Sequence, residues 1–111
     1  MQVTNNNYQP NFGAIIPTDA AKKAIRNRLS AKKAEALLAE LPNMCPDFRV
    51  DLSTTSFECN RLDVMIRDAA GRFRRYDEES ILSSIFRSPK RYIEKVVKII
   101  NEEIKNPVIE K

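Results

Sequence analysis

The chain has 111 residues, a net charge of +4, 42% hydrophobic and 31% charged residues. That length fits one domain and is too short for two good cores, and the composition is globular rather than disordered. The absence of histidine excludes Ser-His-Asp and Cys-His nucleophilic catalysis, HExxH zinc chemistry and imidazole acid–base work. The presence of only two glycines excludes a Walker loop and a GxGxxG fingerprint.

Residues 1–11 are polar and without periodicity, and read as a loose tail. They have neither the positive start nor the apolar stretch of a signal peptide. Phe12 to Ile16 is apolar and ends at Pro17, which suits either a short edge strand or a segment laid over the core. Thr18 is a good N-cap, and Ala21, Ile25 and Leu29 then share one helix face. Ser30 is a second N-cap, followed by Ala34, Leu37, Leu38 and Leu41 at helical spacing, with Pro42 as the stop. Residues 18–41 therefore form a helical hairpin or a bent helix broken near Ser30.

Strict alternation follows. Phe48, Val50, Leu52 and Thr54 interleave with polar residues, and so do Leu62, Val64 and Ile66. Pairing Val50 with Ile66, Leu52 with Val64 and Thr54 with Leu62 puts all six on one face and leaves Phe57-Glu58-Cys59 as the hairpin loop. Cys45 then lies some 30 Å from Cys59, at about 3.3 Å per residue, so a disulfide is not expected and two thiols suit a reducing compartment. Asp68-Ala69-Ala70-Gly71 is a turn with glycine in the left-handed position of a G1 bulge. The third strand runs from Arg72 to Tyr76, with Tyr76 opposite Val64 on the core face and Phe73 near Met65 and Arg67 on the other.

Asp77 is read as the cap of a short helix whose apolar side carries Ile81, Leu82, Ile85 and Phe86. Ser88-Pro89 is a strong start signal for a final helix over about residues 89–105. Its wide apolar face, with Tyr92, Ile93, Val96, Val97, Ile99, Ile100 and Ile104, marks it as the core helix. Pro107 stops it. The expected fold is α+β: two N-terminal helices, a three-stranded antiparallel meander, and two C-terminal helices packed on one sheet face. The domain spans residues 12–106, with a tail at 107–111.

Three features could carry function. Asp51 and Asp63 project from the outer sheet face, but they alternate with Arg49, Arg61 and Arg67, so cross-strand ion pairing accounts for them better than acid–base catalysis. That outer face also carries Arg75, Met65 and Phe73, the mixture of cations and an aromatic that can hold single-stranded nucleic acid. Covering of Met65 and Phe73 by residues 12–16 or a helix is the competing expectation. Lys22, Lys23, Arg26, Arg28, Lys32 and Lys33 form the third feature, a basic cluster that could follow a phosphate backbone or simply face solvent.

No motif identifies a family. The opening run Asn5 to Gly13 resembles the starts of small bacterial proteins and implies no activity. The sequence therefore points to a non-enzymatic, cytoplasmic binding module without cofactor or metal. Its expected partner is another protein, or a second copy of itself. Nucleic acid is the alternative partner, and no membrane is expected, because no apolar run approaches the roughly 20 residues of a spanning helix.

Overall fold

In the computed structural model, residues 14–56 and 60–104 are described. The tails assigned to 1–11 and 107–111, the loop at 57–59 and Cys59 lie outside these residues. The fold is α+β with four helices and a four-stranded mixed sheet in the order β1-β2-β3-β4.

The strand count corrects the three-stranded expectation. Ala14–Pro17 is β1, a true edge strand that pairs parallel to β2 (Arg49–Thr54), with Ile15 beside Val50 and Pro17 beside Leu52. Its ladder is completed by the Ala14 N–H donating to the Phe48 carbonyl and the Thr18 N–H donating to the Leu52 carbonyl. A parallel neighbour needs a long crossover, which the two N-terminal helices supply. Short length and a terminal proline confine such a segment to a sheet edge.

Helix α1 (Asp19–Arg28) starts where the Thr18 hydroxyl accepts from the Ala21 N–H. It buries Ala21, Ala24 and Ile25. Leu29 is extended and ends it, and the Ser30 hydroxyl accepts from Lys33 N–H to start α2 (Ala31–Glu40), so the region is a helix pair. Pro42 sits in a 3₁₀ turn, Leu41–Asn43, that closes α2 and buries Leu41.

β3 (Leu62–Arg67) pairs antiparallel with β2 in the expected register: Val50 with Ile66, Leu52 with Val64, Thr54 with Leu62. All six except Thr54 are buried. The Asp68–Gly71 turn also forms as expected. Gly71 has φ +81°, its N–H donates to the Asp68 carbonyl, and the Asp68 carboxylate accepts from the Ala70 and Arg72 N–H groups.

β4 (Phe73–Glu78) departs from the expected register. Phe73 pairs with Arg67, but a second irregularity makes Ile66 pair with Arg75, so Arg74 is an inserted residue. One extra residue reverses which face every later side chain meets. Tyr76 therefore lies opposite Met65 on the outer face, not opposite Val64 in the core, and Arg75 moves to the inner side, where it pairs with Glu103 at 2.7 Å. Asp77 takes the inner position facing Val64 and accepts from the Tyr92 hydroxyl.

Because β4 runs through Glu78, Asp77 is not a helix cap. Ser80 caps α3 (Ile81–Phe86), its hydroxyl accepting from the Ser83 N–H. Ser88 caps α4 (Pro89–Ile99), with Pro89 in the first turn, and the chain continues through a π-helical turn, Ile100–Ile104. The inner sheet residues Ile15, Val50, Leu52, Leu62, Val64 and Ile66 join Ile25, Leu37, Tyr92, Ile93, Val96 and Ile100 in one core. Burying side chains of this size contributes about 1.5–3 kcal/mol each. Among the described residues no helix is long and apolar enough to cross a membrane.

Candidate interaction surface

The expectation that both C-terminal helices pack on the sheet holds for α4 and fails for α3. Helix α3 buries none of its residues. Ile81, Leu82, Ile85 and Phe86 are 60%, 68%, 64% and 78% exposed. At 100° per residue these four span an arc of about 140°, while Ser83 and Ser84 lie on the opposite side. The helix is amphipathic in the usual way but inverted, with its polar side against the domain and its apolar side to solvent.

The cause is a polar clamp beneath it. The Glu79 carboxylate is fully buried and bound bidentately by Arg28 of α1, at 2.6 Å and 2.9 Å, with side-chain exposures of 0% and 7%. The same carboxylate accepts from the Leu62 N–H and the Ser83 hydroxyl. The Arg28 guanidinium also donates to the carbonyls of Asn60, Ser83 and Arg87. The last two are at the C-terminal end of α3: the Ser83 carbonyl also accepts from the Arg87 N–H, while the Arg87 carbonyl lies past the last helical donor. A charged pair this deep is tolerable only when its remaining donors and acceptors are satisfied, as they are here. A helix of under two turns has little stability of its own, so contacts of this kind set its orientation.

The two flanks of α3 differ. On one side Ile81, Ser84 and Ile85 border a depression of about 560 Å³ shared with Asn60 and the Arg61–Glu78 ion pair. On the other, Ser80, Ser83 and Arg87 border a cleft of about 270 Å³ whose far wall is Arg91, Tyr92 and Lys95 of α4. Tyr92 is turned away from ionisation: burial raises its phenol pKa, aided by the neighbouring Asp77 carboxylate. Residues 77–111 sum to zero charge, but the three acids nearest α3 are engaged internally. Asp77 is bonded to Tyr92, Glu78 to Arg61 and Tyr76, and Glu79 to Arg28.

The residues singled out from the sequence fall elsewhere. Phe73 is 58% exposed, and Met65 is half-buried on the outer face. β1 lies in the sheet plane beside β2 rather than over them. Tyr76 joins them there, its hydroxyl donating to Asp63 and Glu78, which together with burial raise its pKa. The outer-face arginines are engaged: Arg49 and Arg67 with Asp51, and Arg61 with Glu78. Asp51 thus forms the cross-strand pairing expected of it, whereas Asp63 takes the Tyr76 hydroxyl instead. Arg75 has left that face altogether.

The N-terminal basic cluster is dispersed. Arg28 is interior, and Arg26 pairs with Glu35, whose carboxyl this hydrogen bond holds below its ordinary value. Lys23, Lys32 and Lys33 remain exposed and Lys22 is half-buried. Sequence reasoning missed α3 as a surface because apolar periodicity reports a face without reporting which way it turns. The available signal was Ser83-Ser84 opposite the apolar arc, a side able to sit on buried polar groups.

Comparison with known proteins finds no matching family model, no matching curated protein and no matching solved structure.

Proposed function

We propose that this protein is a non-enzymatic recognition module that binds another protein through the apolar arc of α3. One observation carries the reading: four large apolar side chains stand exposed on a helix that a buried ion pair holds in that orientation. The largest contiguous apolar patch on a soluble monomer is often a functional one, and larger patches mark interaction sites. The clamp means that the surface is pre-organised, which lowers the ordering cost of binding.

The test is a photo-crosslinker placed at Leu82 in the whole protein, compared with a Phe86→Ser variant carrying the same crosslinker. The wild-type surface should crosslink a defined partner segment that the variant loses while melting like wild type. Size-exclusion with light scattering separates a foreign partner from a second copy. Identical crosslinking patterns for the two proteins would remove α3 from consideration.

Nucleic-acid binding remains a second reading on one specific observation. Phe73 and Tyr76 are both exposed on the outer face, giving two rings where base stacking needs at least one. Against it, phosphate would have to displace Asp51 and Glu78 from the arginines. Anisotropy titration of single-stranded oligonucleotide at low and high salt decides it, since phosphate contacts weaken steeply with salt.

A further inference from the structure

We infer that the segment docking on α3 is acidic as well as apolar, and that its carboxylates seat in the cleft between α3 and α4 against Arg87, Arg91 and Lys95. The inference rests on the reading of α3 as a docking surface and goes on to name its partner's chemistry.

The arginines of this chain are unevenly paired. The chain has ten. Eight of them lie within 3.5 Å of a carboxylate: Arg28 in the interior, Arg26 on α1, and the others on the sheet or in the turn before β4. Among the described residues, the two with no such ion pair are Arg87 and Arg91. They are also the two that line the cleft flanking α3. Arg91 and Lys95 are four residues apart and share one side of α4, and Arg87 closes α3 across from them. Glu94, three residues from Arg91, does not line the cleft. Three cations converging on one concavity repel one another, and an anionic group placed among them relieves that repulsion.

The same charges argue against the other occupants. A second copy docked through α3 would bring two cation trios towards each other, which disfavours self-association. A flat anionic bilayer resting on the ridge would meet the Arg61–Glu78 pair on the opposite flank, where no cation surplus exists. A shaped peptide can lay apolar side chains over Leu82 and Phe86 and direct its carboxylates to one flank only. The cleft volume of about 270 Å³ accommodates side chains and not a whole helix.

The test uses three synthetic helical peptides with the same apolar stripe, bordered on one side by glutamate, glutamine or lysine, titrated against the whole protein by fluorescence anisotropy at low salt. The glutamate peptide should bind about tenfold tighter than the glutamine peptide, the scale of two exposed charge pairs, and the lysine peptide weakest. The double variant Arg87→Glu, Arg91→Glu should reverse the order. Phe86→Ser should weaken all three alike. Equal affinity for the glutamate and glutamine peptides, with Phe86→Ser still weakening both, overturns the acidic partner and leaves the α3 surface standing. No peptide binding overturns the inference outright, while the Leu82 crosslinking result judges the surface separately. Co-sedimentation with vesicles containing one-third phosphatidylserine, abolished by Phe86→Ser and by the charge reversal, would replace the peptide by an anionic membrane and overturn it too.

Discussion

Replacing Arg28 by methionine tests the clamp on which the exposed helix depends. Methionine fills much of the volume and removes the charge. It leaves the Glu79 carboxylate fully buried with only the Leu62 N–H and the Ser83 hydroxyl as donors. Two charge-assisted bonds are lost, and a buried charge is left uncompensated. Breaking one side of such a pair costs about 3–5 kcal/mol, a large part of the roughly 5–15 kcal/mol available to a small domain. The double variant Arg28→Met, Glu79→Leu removes both charges and should recover most of that loss, because the pair's own desolvation cost disappears with it. It should not recover α3. The Arg87 carbonyl still lacks its donor, the Ser83 carbonyl keeps only the Arg87 N–H, and the helix buries no apolar residue to compensate. Urea melts of the wild type, both single variants and the double give the coupling. Hydrogen exchange reports α3 separately, and its amides should exchange fast in the double variant while those of α4 stay protected. An Arg28→Met protein within about 0.5 kcal/mol of wild type would refute the argument, since the clamp would then carry no stability.

Ile100→Ala should cost about 2–5 kcal/mol in urea melts, because the side chain is 1% exposed, whereas Lys98→Ala and Leu82→Ser should each stay within about 0.5 kcal/mol. The Asp68 carboxyl is held below its ordinary value of 3.8, first by the Arg72 N–H and then by the Ala70 N–H and the nearby guanidinium groups, with burial opposing. Its contribution is therefore complete above pH 3.8 and lost as pH falls through the depressed folded value. Asp68→Asn should be less stable than wild type at neutral pH, with the gap closing in acid melts. Tyr92 has the opposite sign. Its pKa is raised above 10.0, so its contribution is present below pH 10 and is lost as pH climbs towards the folded value. Tyr92→Phe should narrow the stability difference from wild type in strongly alkaline melts and remove one late-titrating phenol from the tyrosinate absorbance curve.

Much of the fold was legible because the relevant signals are local. Alternation in 48–54 and 62–66 set the β2–β3 register, since a one-residue slip would turn Val50, Leu52, Val64 and Ile66 out to water. Gly71 fixed the turn through its positive φ, and Ser88-Pro89 fixed the start of α4 through hydroxyl capping. The apolar periodicity around Val96 and Ile100 identified the core helix. The candidate site was legible only in part: Met65 and Phe73 do share the outer face, but the apolar periodicity of α3 by itself points its face into the core.

What the tertiary structure alone decided is the direction each of these elements faces. The inserted Arg74 is one residue with no signature in the alternation of β4, yet it sends Tyr76 outward and Arg75, Asp77 and Glu79 inward. That reversal places a carboxylate inside the domain, and Arg28, fifty-one positions earlier, is the group near enough to neutralise it. Once that pair is buried, the serine side of α3 is the side that satisfies it. Leu82 and Phe86 then face water because desolvating an unpaired carboxylate costs more than leaving a few apolar side chains exposed.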